Sequence, residues 1–329
     1  IVKAILPAVL YFAGIFIAVH LEAKKLGLRG LSREELPAVK PLLKKCYLLT
    51  PLILLIYLVG TSTRSIQYAA SLSIVACIFV TLFSRETRIT PKRLLEALAA
   101  GGQGTITVAA ACGVAGIIAG TITMTGLANM MINGIVALAG NQTIIALFLT
   151  MLCCIVLGMG VPTTANYCIM AATCAPILIK MGVPAIAAHF FVFYFGIVAD
   201  LTPPVALAAY AGSAIAKAPP MKTAINATKL AIAAFIIPYI FALNPAMLLL
   251  DTNAIEFILI AITSAVGMFG VSMGLEGYFM GLLATPFRLI AILGGLLLIY
   301  PGTVTDIAGL AGVGGLIALQ AMKSKKQTA

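Results

Sequence analysis

The sequence predicts an all-α, polytopic membrane protein, and three observations carry that prediction. Of its 329 residues, 62% are hydrophobic and only 9% are charged. An ordinary soluble domain carries about 25% charged residues, so a water-facing surface of this size cannot be covered. The apolar residues run in long unbroken stretches instead of alternating over about ten residues, which excludes an outer-membrane β-barrel. At roughly 20 apolar residues per span there is room for about eight to eleven hydrophobic segments, enough to enclose an interior between helices. The net charge of +11 would suggest nucleic acid in a soluble protein. Here the basic residues sit in short loops between spans, where Lys and Arg report the cytoplasmic side, and no nucleic-acid partner is expected. The seven cysteines (Cys46, Cys77, Cys112, Cys153, Cys154, Cys168, Cys174) lie in apolar stretches without CxxC spacing. They read as small packing residues and not as a metal site or disulfide framework.

The chain opens on Ile1, not Met, with an apolar stretch too long and too weakly cleavable for a signal peptide. It therefore reads as a piece of something longer, which matters because transporters are commonly built from two related halves. The first segment covers Ile5 to Leu21 and leads into a polar stretch with seven basic residues between Lys24 and Lys45. That loop is placed in the cytoplasm. Cys46 to Gly60 and Ile66 to Phe83 are the next two segments, joined by TSTRS, and the following loop, SRETRITPKR, returns four basic residues to the cytoplasm. Thr90-Pro91 is a helix start, with Pro at the first helical position where its missing N–H costs nothing. PKRLLEALAA is amphipathic and is expected to lie in the interface before Gly101 and Gly102 turn the chain inward. From Gln103 to Leu138 the chain is rich in small residues that permit close helix contact. It reads as one crossing plus a short helix, interrupted at Thr125-Gly126, with Asn141 outside.

Two apolar arms follow, Ile144 to Leu157 and Ala165 to Ile179, flanking GMGVPTT. Each is short for a full span at about 1.5 Å per residue, so the spacing predicts a re-entrant hairpin over 141–182. The next helix, 184–216, starts at Pro184 and must break at ADLTPPVAL, because Pro203 and Pro204 donate no backbone hydrogen bond and push the preceding residue out of helical geometry. KAPPMKTAINATK, with Lys217, Lys222 and Lys229, again marks the cytoplasm. One span covers Leu230 to Leu243. Three more helices follow (Ile255 to Val271, Phe279 to Ile299, Val304 to Met322) before the basic tail KSKKQ. The four basic clusters hold 17 of the 21 Lys and Arg residues, and following the crossings in order puts all four on one face. The organisation read from the chain is a scaffold portion at 1–100, a transport domain at 101–245 and a C-terminal membrane extension at 246–329.

Backbone groups freed at membrane depth cannot be satisfied by lipid, so a break survives there only where it lines a cavity or binds a solute. The first hairpin arm ends near Gly158 with carbonyls that suit a cation such as Na⁺. The second arm starts at Pro162, with Thr163 and Thr164 in its first turn, and such an end attracts carboxylates. Asp200 is the most telling residue: an intramembrane carboxylate is expensive, and a helix C-terminus is the wrong end for a negative charge. A bound cation resolves both costs; a protonated Asp, or one paired to a backbone N–H, is the alternative. His189, in AHFFVFYF, is a candidate for a proton or substrate role or a packing histidine, and His20 sits beside Glu22 and Lys24 at a membrane edge. Asn166 and Tyr167 face substrate, or Asn166 bridges helices. Glu276 and Asp306 lie near expected helix ends and are expected to be wetted.

These two breaks carry a resemblance. The stretch from Leu157 to Leu250, which includes LGMGVPTTANYCIMAATCAPILIKMG and ADLTPPVALAAYAG, strongly resembles the large permease subunit of tripartite ATP-independent periplasmic (TRAP) transporters. Within those, it is most similar to fused permeases that work with TAXI-type solute receptors, and HLEAKKLGLRGL looks like the loop linking the two halves in that group. The resemblance implies Na⁺-driven uptake of small organic acids, usually carboxylates, across a bacterial or archaeal inner membrane, with a periplasmic TAXI-type solute-binding protein and a small permease subunit or its fused equivalent as partners. It implies an elevator-type mechanism and no cofactor beyond the coupling Na⁺. Carried onto this chain, GMGVPTT is the second hairpin tip and DLTPP the second unwound helix. Gly158, Gly160, Val161, Asp200 and Pro203 are then assigned to the cation, and Pro162, Thr163, Thr164, Asn166 and Thr202 to the substrate. The first hairpin, its paired broken helix and the fused small-subunit helices are expected to precede Ile1, and the segment after Asp251 resembles the extra C-terminal helices of the fused type.

Two kinds of rival remain. One is a receptor-independent ion-coupled anion transporter of the same broad architecture; the other is a non-catalytic membrane subunit, which would not need two such breaks. An intramembrane enzyme is disfavoured: aspartyl proteolysis needs two embedded Asp residues and only Asp200 qualifies, HExxH is absent from the sequence, and GVSMG at Gly270 to Gly274 is a lone GxSxG match inside an apolar run.

Overall fold

The computed structural model describes residues 2–28, 30, 36, 43, 45–61, 65–82, 88–140, 142–203 and 205–328. Most of the basic loop between Lys24 and Lys45, together with Asn141 and Pro204, lies outside the described residues. Among the described residues the chain is almost wholly helical. The helices are α1 Ile5–Lys25, α2 Thr50–Gly60, α3 Ile66–Thr81, α4 Pro91–Thr125, α5 Leu127–Ala139, α6 Thr143–Gly158, α7 Thr163–Thr173, α8 Ala175–Lys180, α9 Ala185–Val198, α10 Leu207–Ala216, α11 Pro220–Leu230, α12 Ile232–Leu243, α13 Ala254–Glu276, α14 Thr285–Ile299 and α15 Thr303–Thr328. Among the described residues, four stretches are long and apolar enough to cross a membrane: Val2–Lys25, Pro220–Leu243, Ala254–Glu276 and Thr303–Lys323.

The chain divides into two compact units. One comprises residues 1–2 and 29–107, the other 3–28 and 108–329. In the first, α2 and α3 pack as a pair. Ser65 caps α3 by accepting from the Tyr68 N–H at 3.3 Å.

The second unit is built around one apolar core drawn from α1, α6, α7, α9, α12 and α13, with Phe191, Phe195, Phe241, Met170 and Leu147 fully buried. Helix α1 shows how the sequence produces that packing. Its buried residues Pro7, Leu10, Gly14, Ala18 and Leu21 recur every three or four positions and so form one stripe. Gly14 lets that stripe approach closely: a Cβ there would collide with Ala233 of α12 and lie 3.4 Å from the Met268 sulfur of α13.

The three C-terminal helices close against one another on backbone. A Cβ on Gly267 of α13 would come within 2.8 Å of the Gly295 carbonyl of α14, and one on Gly309 of α15 within 2.6 Å of the Gly294 carbonyl. With no hydrophobic drive in lipid, such contact is what small residues supply.

Several sequence expectations are revised. Gly101 and Gly102 do not turn the chain: α4 runs through both. A helical Gly costs about 1 kcal/mol relative to Ala, which a long run of Leu, Ala and Glu absorbs. The interruption expected at Thr125-Gly126 is found there, with Gly126 left-handed at a φ of 70°. The second hairpin arm is not continuous, because Pro176 has no N–H for the Ala172 carbonyl and the helix restarts after Cys174. KAPPMKTAINATK is mostly helix, not loop. Pro220 opens α11 at its first position, so Lys222 and Lys229 are helical.

Gly295→Ala is expected to destabilise the C-terminal helices by about 1–3 kcal/mol, because the methyl has nowhere to go. Gly315→Ala, on the open side of α15, should be neutral or stabilising. Thermal unfolding of the purified variants in detergent checks the contrast.

Candidate functional site

The hairpin and the broken helix meet at glycines. Helix α6 ends at buried Gly158, Met159 is extended, and Gly160 takes a φ of 72° that only glycine adopts freely. Pro162 is the residue before α7, whose first turn holds Thr163 and Thr164. The Asn166 N–H bonds back to the Pro162 carbonyl at 2.9 Å. The N–H groups of Thr163, Thr164 and Ala165 have no backbone acceptor among the described residues. The tip therefore presents an open helix N-terminus.

In the second break, α9 tightens before it ends. The N–H groups of Asp200, Leu201 and Thr202 bond to the carbonyls of Ile197, Val198 and Ala199 at 3.1, 3.0 and 3.3 Å, each three residues back instead of four. The Thr202 hydroxyl donates to the Val198 carbonyl at 2.6 Å. Across the break, Ala206 N–H reaches the Thr202 carbonyl at 3.1 Å and Ala208 N–H the Asp200 carbonyl at 3.2 Å. Buried Ala206 is left-handed at φ 38°, a strained conformation for a residue with a Cβ, before α10 begins.

That tightening withdraws the helical donor from the Gly196 carbonyl. Asn166 replaces it: its Nδ2 donates to the Gly196 carbonyl at 3.0 Å, with the Asn166 side chain buried at 2% exposure. A Cβ on Gly158 would lie 2.9 Å from both the Asn166 nitrogen and the Gly196 carbonyl and 3.0 Å from the Ala199 methyl. Gly196 is equally constrained, with Met170 sulfur 3.1 Å from its absent Cβ. The end of α6, the start of α7 and the end of α9 thus form one junction. With Nδ2 fixed on Gly196, the Asn166 Oδ1 is a buried acceptor with no partner among the described residues. Asp200 is half-buried beside this junction in sequence, and no described residue forms an ion pair or side-chain hydrogen bond with its carboxylate.

Not every expected site residue is drawn in. Thr163 and Thr164 are exposed, Val161 packs on Ala165 and Ile169, and no hydrogen bond joins Thr163, Thr164 or Pro203 to the opposite element among the described residues. The break carbonyls are also better satisfied than the sequence suggests, since those from Gly196 to Thr202 all accept a hydrogen bond. The carbonyl of Leu201 finds its donor in the Thr228 hydroxyl of α11, at 3.1 Å. Sequence reasoning missed Gly196 and Thr228. A Gly three residues before Ala199-Asp200 was a usable signal, whereas nothing local marks Thr228. His189 pairs through Nδ1 with the Tyr167 hydroxyl at 3.0 Å beside a groove of about 490 Å³ that Phe190 and Phe193 also line.

The chain matches the family model described as "Tripartite ATP-independent periplasmic transporter, DctM component" over residues 1–255. It belongs to that family. The chain is therefore a TRAP transporter permease component, a multi-pass membrane protein and not an enzyme, of a family that works with a periplasmic solute-binding protein. No curated protein and no solved structure matches it. In this DctM-type permease the matched residues include the whole junction of hairpin and break, whereas nearly all of α13 and the whole of α14 and α15 lie beyond them.

Asn166→Ala is expected to leave the Gly196 carbonyl buried without a donor and to lower stability by about 1–3 kcal/mol. Chemical denaturation of the purified permease measures this, and an unchanged midpoint would mean that water or lipid substitutes for the amide.

Proposed function

We propose that this permease couples Na⁺ to the import of small organic acids, chiefly carboxylates, delivered by a periplasmic receptor of the TAXI type. The observations that carry the reading are two acceptors without a partner among the described residues, the Asp200 carboxylate in the break and the buried Asn166 Oδ1 at the junction. Two such oxygens suit a hard monovalent cation, and a cation offsets the cost of an acid at a helix C-terminus in apolar surroundings. Gly158, Gly160, Val161 and Pro203 shape the same two breaks and complete the proposed cation site through their backbone.

The open N-terminus of α7, with Pro162, Thr163, Thr164 and Asn166, is the proposed carboxylate-binding end, with Thr202 contributing from the break. Asn166 belongs to both halves in this reading: its amide is fixed by Gly196 and its oxygen faces the ion. Residues 101–245 act as the mobile transport domain of an elevator, with the re-entrant hairpin over 141–182 and the broken helix over 184–216. Residues 1–100 act as scaffold, and 246–329 as the C-terminal extension of the fused type. A small permease subunit or fused equivalent completes the transporter in a bacterial or archaeal inner membrane.

The test is uptake of a panel of radiolabelled organic acids into proteoliposomes holding the full-length permease and its receptor. Uptake should require both Na⁺ and receptor, and Asp200→Asn should raise the Na⁺ concentration for half-maximal uptake by about tenfold or more, the equivalent of about 1.4 kcal/mol. Unchanged Na⁺ dependence in Asp200→Asn would remove the cation assignment; uptake without receptor would favour the receptor-independent alternative.

A further inference from the structure

The sequence suggests a wetted Glu276, but its side chain is only 1% exposed. It is the last residue of α13, where a negative charge opposes the helix dipole. Two cations offset that. Lys229 of α11 holds Glu276 Oε2 at 2.6 Å. Arg288 of α14 caps the same helix end through Nε to the Gly274 carbonyl at 2.9 Å and a terminal guanidinium nitrogen to the Leu275 carbonyl at 3.0 Å. Glu22 of α1 stands 4.0 Å from Lys229 and pairs with Lys25 at 3.3 Å. Glu276 Oε1 has no hydrogen-bond partner among the described residues. This cluster ties the end of α13, beyond the family match, to α1 and α11 inside it.

The residue before Lys229 is Thr228, whose hydroxyl holds the Leu201 carbonyl in the break at 3.1 Å. Successive residues on a helix point about 100° apart, so α11 presents Thr228 to the break and Lys229 to Glu276. The Thr228 hydroxyl has one proton and a competing acceptor, the Ala224 carbonyl of its own helix at 2.9 Å. The proton is therefore shared between the two carbonyls, and the distance from Thr228 to Leu201, set by where α11 sits, decides how much of it the break receives.

We infer that Glu276 is a positioning residue for the break: by gripping Lys229 it fixes the rotation of α11 at which Thr228 holds the Leu201 carbonyl. The C-terminal helices thereby set how firmly the unwound segment is held, although they contribute no residue to it. The relevance to transport rests on the reading of the break given above; the physical coupling does not.

Hydrogen exchange of the purified full chain tests the coupling without any transport measurement, so failure of the transport reading leaves the test standing. The readout is exchange of the amides of Ala206 and Ala208, which donate across the break. Thr228→Val should accelerate it by about tenfold, the worth of one hydrogen bond. Glu276→Gln should accelerate it comparably, and the double variant should exceed neither single change by more than about twofold. Lys229→Arg, which keeps the ion pair, should preserve protection. If Glu276→Gln does not fold, Lys229→Gln removes the same pair from its half-exposed side. The inference is overturned if Glu276→Gln or Lys229→Gln loosens only α11 and α13 while the break amides keep their protection, or if the two changes add fully.

Discussion

A backbone carbonyl that loses its helical donor inside an apolar protein must find another within the chain, and the central part of this permease is arranged around that requirement. When α9 tightens, the Gly196 carbonyl is freed and Asn166 from the hairpin supplies the replacement at 3.0 Å. That single bond makes two separate helix breaks one object. It needs Gly158 and Gly196, because any Cβ at either position would sit where the amide and carbonyl meet. It also consumes the donor half of the Asn166 amide and leaves the acceptor half buried with no partner among the described residues. The same bond that stabilises the junction thus leaves it with an open buried acceptor.

The rest of the second unit holds the junction in place by two different means. Close approach comes from small residues, as at Gly14 of α1 against Ala233 and in the glycine contacts of α13, α14 and α15. Orientation comes from a few polar contacts with no lateral freedom. Thr228 reaches the Leu201 carbonyl, and Lys229 reaches buried Glu276. These polar contacts, among them a charge pair at 2.6 Å, add directional restraint to the register that close packing already sets.

How much of this was legible in the sequence follows from where the signals act. Both breaks were readable, because Gly158, Gly160, Pro162 and Pro203 act on their own backbone, and local rules suffice for local effects. The helical class was readable from composition. The fate of Gly101 and Gly102 was not, since a glycine permits a turn without requiring one. Asn166 was seen as a substrate ligand or a helix bridge, and the structure shows the bridge. Thr228 carries no local mark at all: its partner is 27 residues away and is chosen by how α11 packs. Lys229 and Glu276 misled for a related reason. Lys229 reads as a marker of the cytoplasmic side and Glu276 as a wetted helix end, and only the fold reveals that the two, 47 residues apart in sequence, are joined in space.

We propose that the junction of hairpin and break binds the coupling cation. Thermal unfolding of the purified full-length permease in NaCl and in choline chloride at equal ionic strength tests it most directly, because a ligand that binds only the folded state raises its stability. The account predicts a higher unfolding temperature in Na⁺ for the parent chain and no such difference in Asp200→Asn. The same unfolding temperature in both salts for the parent, or the same Na⁺ increment in Asp200→Asn, would contradict it.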